Sequence, residues 1–323
     1  MFTNRDIQFK SIFVINCREH QKTLRVLNGE LYLVDTDKEK ALTKIPFQKI
    51  LALFIIGNTT ITSPLIEKCR RYNVAISLIK PSLRQIAFIS ESAEANYLLR
   101  QKQYSLDPDD ISVAKWIVKN KISNQRELLR RSRKKDELTI NGIEYCKSVL
   151  DTIDGLDDFN SLMGVEGSAS KVFFSAYFNG LNWKKRVPHT HIDPINTMLD
   201  IGYTILFNYI EVFVRMFGFD LYRGVYHKQW FRRKSLVCDL IEPFRCIIDA
   251  QLKKSLHLGQ FKESDFKLSK GEYELKNDEA WKYYQIFFEA LIARKGDVFT
   301  YIQKYYRSFM KGPDFQAYPL FSY

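Results

Sequence analysis

QIAFISESAEANYLLRQKQY, residues 85–104, holds the change of pattern that decides the fold. Gln85 to Ser90 is a short apolar run of strand type, whereas from Ala93 to Tyr104 the apolar residues return at helical spacing. Upstream of this switch the chain reads as β-rich. Ser11 to Asn16 is a short strand, and Thr23 to Leu27 and Leu31 to Val34 flank Asn28-Gly29, whose tolerance of positive φ makes a hairpin. Ile50 to Ile56 is a continuous apolar run, the pattern of a buried strand. Ser63-Pro64 supplies an N-cap and a first-turn proline for a helix ending near Asn73, and Val74 to Ile79 returns to strand.

Downstream, helical spacing continues almost to the end. It predicts helices over Ile111–Ser123, Asn124–Arg133, Leu162–Phe178, Ile195–Phe217, Ser235–His257, Glu279–Arg294 and Val298–Met310. The polar stretch Lys262 to Asn277 reads as a long surface loop. Strands gathered before helices imply an α+β chain: a β-rich domain of packed sheets over residues 1–90, then a larger all-α domain over 91–323.

Composition narrows the function. Hydrophobic residues at 46% and charged residues at 27% exclude a disordered or fibrous chain. A net charge of +12 favours a polyanionic partner such as nucleic acid. Five scattered cysteines, with no C-x-x-C pair, exclude a zinc ribbon and suit free thiols in a reducing cytoplasm. Ile195–Phe217 is long and apolar, but Asp200, Glu211 and Arg215 within it point to a core helix rather than a membrane span. Phosphate-loop, nucleophile-elbow and zincin signatures are absent.

Three segments carry candidate chemistry. GVEGSASKVFF places Glu166 among small residues at what reads as a helix start, suited to close approach by a phosphate or by another helix. GVYHKQWFRR places His227 beside aromatic and basic residues, as a ligand or as a packing histidine. In SLVCDLIEPFRCIIDAQL, Asp239, Glu242 and Asp249 fall on one helical face, and Pro243 should kink the helix there. Those acids read either as a cation site or as a solvated stripe balanced by Arg245. Together, one histidine and carboxylates from different helices form a mixed nitrogen and oxygen set suited to Mg²⁺ or Mn²⁺. His189, His191 and Asp193 imitate a metal run, but they follow Lys184, Lys185 and Arg186 and read better as a basic DNA-facing loop. Further basic residues lie between Lys115 and Lys135, including Lys119, Lys121, Arg126, Arg130, Arg131 and Lys134, and at Lys228, Arg232 and Arg233. Tyr301, Tyr305 and Tyr306 fit core packing better than base stacking.

GVEGSASKVFFSAYF, DPINTMLDIGYTILFN and YHKQWFRRKSLVCDLIEPFRCIID, in that order, resemble the motif set of the CRISPR-associated "Cas-one" integrases. ISESAEANYLLRQKQY resembles the same family's interdomain helix. The resemblance implies a prokaryotic, cytoplasmic, metal-dependent enzyme that joins 3′-hydroxyl ends of short duplex DNA into a repeat array by transesterification. It implies a homodimer formed through the N-terminal domain, two copies of which clasp a small ferredoxin-like "Cas-two" subunit. It places the metal ligands at Glu166, His227 and Glu242, with Asp239 assisting catalysis, and it implies Mg²⁺ or Mn²⁺ as cofactor. Lys184, Lys185, Arg186, Lys228, Arg232, Arg233 and Arg245 are the expected DNA contacts. A structure-selective nuclease and a non-catalytic DNA-binding scaffold are the competing readings.

Overall fold

The computed structural model describes residues 3–18, 22–36, 38, 40–90, 95–133, 135–181, 183–311 and 318–323. The N-terminal part runs α1 (Asn4–Phe9), β1 (Ser11–Cys17), β2 (Lys22–Leu27), β3 (Glu30–Asp35), β4 (Lys40–Pro46), β5 (Ile50–Gly57), α2 (Ser63–Arg71), β6 (Ala75–Ile79) and β7 (Gln85–Ile89). These strands make two sheets, β2-β3-β4 and β1-β5-β6-β7. In the first, Asn28 and Gly29 have φ of 50° and 79°, giving the two-residue hairpin turn between Leu27 and Glu30. In the second, β1 and β6 flank β5 in parallel, and β7 closes the edge antiparallel to β6.

β5 explains its own sequence. Ile50, Leu53 and Ile55 face a core shared with Leu24 and Leu31 of the other sheet and Leu65 of α2. Leu51, Ala52, Phe54 and Ile56 face the helices. A strand covered on both sides has no polar face to show, hence the unbroken apolar run. Phe54 lies against Tyr209 and Phe288 at ring separations of 5.9 and 5.1 Å, so the principal core runs across both halves of the chain. Thr62, rather than Ser63, occupies the N-cap position of α2, with Pro64 in the first turn.

The helical part comprises α3 (Tyr97–Tyr104), α4 (Ser112–Arg130), α5 (Glu137–Thr152), α6 (Phe159–Tyr177), α7 (Pro194–Met216), α8 (Ser235–Ile241), α9 (Arg245–His257), α10 (Asn277–Ile292) and α11 (Lys295–Lys311). The α+β order expected from the sequence is the observed one. Several details differ. Ile111–Ser123 and Asn124–Arg133 are not two helices but one, α4. Between α9 and α10 the chain forms a hairpin, β8 (Phe266–Ser269) with β9 (Glu272–Leu275), where a surface loop was expected; the helical half is therefore not wholly α. Ala93, the expected start of α3, lies outside the described residues, as does Lys134.

α7 is long and apolar enough to cross a membrane, yet most of it is buried inside the fold. Its charges are neutralised there. Glu211 meets Lys234 at 2.6 Å and Arg215 at 2.8 Å, and Asp200 pairs with Arg186. It is the core helix around which the site is built.

Candidate active site

Glu166 projects from the middle of α6, not from a helix start. The helix begins at Phe159, capped by the Asp158 side chain, which accepts from the Asn160 and Ser161 N–H groups. Gly164 and Gly167 have open space where a Cβ would stand, so no neighbouring helix requires them. They leave the wall beside Glu166 low and open. Ser170, one turn on, donates to Glu166 at 2.9 Å.

His227 sits in the segment between α7 and α8 and is fixed by Asp239. One Asp239 oxygen accepts from Val225 N at 2.6 Å and Tyr226 N at 3.1 Å, and the other accepts from His227 N at 2.8 Å and pairs with His227 Nδ1 at 2.7 Å. Gly224 is needed for this wrap: a Cβ there would lie 2.7 Å from Asp239 Oδ2 and 2.9 Å from Ser235 Cβ. With Nδ1 engaged, Nε2 is the ring nitrogen left to meet a ligand. Asp239 is fully buried behind the histidine and orients it; its own oxygens are committed to the segment it holds.

Glu242 stands where α8 ends. Pro243 lacks an N–H for the preceding turn, and Glu242–Phe244 forms a 3-10 turn before α9 resumes. Asn124 on α4 donates to the Pro243 carbonyl at 3.0 Å and also to the carbonyl of Phe321, whose ring packs 4.7 Å from Phe244. The C-terminal segment thereby braces the kink. The helix is interrupted before Asp249, and the three acids take different partners. Asp239 points into the His227 segment, Glu242 toward Lys121 and Arg245, and Asp249 toward the Tyr203 hydroxyl at 2.5 Å. All three are buried, which excludes the solvated stripe.

The residue joining these parts is one that the sequence offers only as part of a basic helix face. Lys121 of α4 extends its ammonium between Glu166, which it contacts directly, and Glu242 at 2.7 Å. Arg245 completes the cage, donating to Glu242 at 2.9 Å while its guanidinium lies 4.4 Å over the Tyr203 ring. As the side chains stand, no group of three or more His, Cys, Asp or Glu that could hold a metal ion is formed among the described residues.

Lys121, Glu166, His227 and Arg245 line one cleft of about 1000 Å³, together with Lys184, Lys185, Arg186 and Arg233. The expected DNA contacts therefore divide. Lys184, Lys185 and Arg233 are exposed at the cleft, while Lys228 and Arg232 are exposed on the adjoining turn. Arg186 and Arg245 are instead committed to Asp200 and Glu242. His189, His191 and Asp193 form no metal-holding group among the described residues: Asp193 caps α7 through Asn196 N at 2.7 Å, and the His189 backbone N–H donates to Asp200 at 2.9 Å. In the basic stretch of α4, Lys119 pairs with Asp154 at 2.5 Å, and Arg131 pairs with Glu127 at 2.8 Å. Tyr301 and Tyr305 are buried in the core.

Residues 17–289 match the family described as CRISPR associated protein Cas1. This chain belongs to the Cas1 family. It is similar to a CRISPR-associated endonuclease Cas1 of Thermodesulfovibrio yellowstonii, 30% identical over 257 residues, covering 75% of this chain and 80% of the relative. Its fold is similar to a chain of a Cas6-RT-Cas1–Cas2 complex, with a TM-score of 0.75 and 20% identity over 96% of this chain; the match takes up 36% of that longer chain. A casposase bound to integration product gives a TM-score of 0.71 and 19% identity, covering 97% of this chain and 94% of that one. At these identities the structural likeness shows a shared fold.

The charges in this Cas1-family cleft set one another's ionisation. Burial opposes ionisation of Glu242, but the Arg245 guanidinium and the Lys121 ammonium overcome it and hold the carboxyl at about 2. Burial likewise opposes the charged form of Lys121, and the Glu166 and Glu242 carboxylates reverse that and raise its pKa. Asp249 goes the other way. Burial outweighs the Tyr203 hydrogen bond and the nearby Arg245, Lys121 and Arg186 charges, pushing it to about 7. A pKa raised on folding favours the folded state below the ordinary value of 3.8, and that advantage disappears as pH rises through 7. Asparagine at 249 still accepts from Tyr203 but never ionises. Asp249→Asn is thus expected to raise stability at pH 8 by up to roughly 4 kcal/mol and to change it little at pH 4. Denaturant titrations at the two pH values check this, and an equal effect at both would sink it.

Proposed function

We propose that this chain is a DNA integrase and endonuclease of CRISPR adaptation, joining 3′-hydroxyl ends of short duplex DNA to a repeat array by transesterification. The observation that carries the proposal is the meeting of Glu166 and Glu242, from separate helices, on one cationic group. Glu166 and that cationic group, Lys121, line a basic cleft that His227 also lines. The names of the similar proteins, an endonuclease, a Cas1–Cas2 assembly and a casposase with its integration product, support the same class of chemistry.

The donor set fits Mg²⁺ or Mn²⁺. Two carboxylates and one imidazole are the ligand types such ions accept, and the Lys121 ammonium stands in for a cation between the carboxylates. Glu166, Glu242 and His227 Nε2 would hold the ion once Lys121 withdraws. When bound, it would activate the attacking hydroxyl and stabilise charge on the phosphodiester.

The remaining work belongs to the chain itself. Asp239 holds the imidazole in one orientation and tautomer, with Nδ1 toward its carboxylate. Lys184, Lys185 and Arg233 at the cleft would contact phosphates and so keep the two DNAs in register. The attacking 3′-oxygen forms a new bond to phosphorus as the bond to the departing strand's 3′-oxygen breaks. One phosphodiester replaces another, so no nucleotide triphosphate is needed. A homodimer, with two copies holding a small ferredoxin-like Cas2 subunit, completes the proposal; the partner would set the distance between two such clefts.

The test is a branched DNA that imitates a half-integrated product, incubated with and without Mn²⁺. Wild-type protein is expected to release the flap and reseal the continuous strand only with metal. Glu166→Gln should bind the DNA yet lose well over 100-fold in rate, since changing a group that merely orients a ligand already costs about 10–100-fold. Cutting without resealing would point to a nuclease, and binding without reaction by the complete complex would point to a scaffold.

A further inference from the structure

Trp230 and Phe231 are the two most exposed large apolar side chains among the described residues, at 77% and 82%. They are not on a loose strap. The Arg233 N–H closes a tight turn on the Trp230 carbonyl at 3.0 Å, and Arg232 within it has a φ of 62°, a strained conformation for a residue with a side chain. Both ends are tethered. Ser235 Oγ donates to the Lys228 carbonyl at 3.1 Å, and Lys234 reaches Glu211 at 2.6 Å and Gln85 at 2.8 Å. Just before the turn lies His227, pinned by Asp239, and Arg233 lines the same cleft. The turn thus presents two exposed aromatic rings on the short segment between His227 and Arg233, both of which line the cleft, and between exposed Lys228 and Arg233, with the Arg232 guanidinium 5.0 Å over the Phe231 ring.

We propose that Trp230 and Phe231 form a wedge that stacks on unpaired bases of DNA at a branch, beside the phosphodiester held near His227. The inference rests on the DNA reading above and adds the structural feature of DNA that the site selects. Charge complementarity argues for this occupant. The basic residues around the rings suit a phosphate backbone, and flat rings stack on bases of any sequence. A protein surface able to cover the rings would also have to match Lys228, Arg232 and Arg233.

The experiment measures affinity of Trp230→Ala/Phe231→Ala by fluorescence anisotropy for two labelled DNAs of equal length, one branched and one fully paired. We expect branched DNA to bind about 10–100-fold more weakly than to wild type, given the usual worth of base–aromatic stacking. Fully paired DNA should change by less than about threefold, and the dependence on salt should be unaltered, because no charge is removed. Trp230→Tyr/Phe231→Tyr should restore the preference for branched DNA. Equal loss on both DNAs, or none on either, overturns the wedge while leaving the proposed function standing. So does a variant that binds branched DNA normally but sediments as a different oligomer, which would mark the rings as a protein interface. Wild-type protein that binds neither DNA overturns the wedge and the DNA reading together.

Discussion

Asp239→Ala is expected to lower stability by about 3–5 kcal/mol and to remove most strand-joining activity even where the variant remains folded. Four hydrogen bonds converge on this buried carboxylate, three from consecutive backbone N–H groups and one from His227 Nδ1. Alanine leaves those donors without their acceptor, and each buried donor left unpaired costs about 1–3 kcal/mol. The figure falls below a simple sum because Val225 and His227 are only partly buried, so water can replace some of the bonds. Asp239→Asn separates the two roles. One amide oxygen can still accept from the histidine, while the new NH₂ faces backbone donors, so stability should fall by about 2–3 kcal/mol with the imidazole still oriented. Urea titration of both variants, alongside joining rates at saturating branched DNA, measures the two effects separately. An alanine variant with wild-type stability would show that Asp239 does not organise the segment.

How much of this was legible follows the physics of each element. β5 was plain because burial on both faces demands an unbroken apolar run, and Asn28-Gly29 was plain because few dipeptides accept two positive φ values. Pro243 announced the break that frees Glu242 from a regular helix. The same break lies between Glu242 and Asp249, and the three acids of the segment each meet a different partner. In α4 the polar residues Asn120, Asn124 and Gln125 interrupt the apolar spacing. They are in fact buried, and the two asparagines bond the Phe321 and Pro243 carbonyls. Polar residues at helical spacing on an apolar face were the available sign that α4 borders something polar. Lys121, adjacent on that helix, could not be told from its solvated neighbours, because its partners arrive from α6 and the α8–α9 junction. The β8–β9 hairpin escaped for a similar reason: with exposed faces on both strands, its polar sequence has little apolar alternation to show.

Lys121→Met should behave in opposite ways with and without divalent metal. The ammonium is 11% exposed and sits between carboxylates that are 18% and 4% exposed, so most of its partners' charge is out of water. Taking away one member of such a buried set typically costs about 3–5 kcal/mol, because the remaining charges stay buried and uncompensated. Arg245 on Glu242 and Ser170 on Glu166 should hold the loss toward the lower figure. If the carboxylates are metal ligands, Mn²⁺ or Mg²⁺ can supply the missing charge without first displacing an amine. The variant should then bind Mn²⁺ more tightly than wild type, and its melting temperature should rise more on adding metal, as expected for a ligand that binds only the folded state. Thermal melts and calorimetric Mn²⁺ titration of both proteins measure this directly. A variant as stable as wild type in chelator would deny the ammonium its structural part. One that is destabilised but indifferent to Mn²⁺ would mean that Glu166 and Glu242 meet for Lys121 alone, and the metal-dependent mechanism would fall with it.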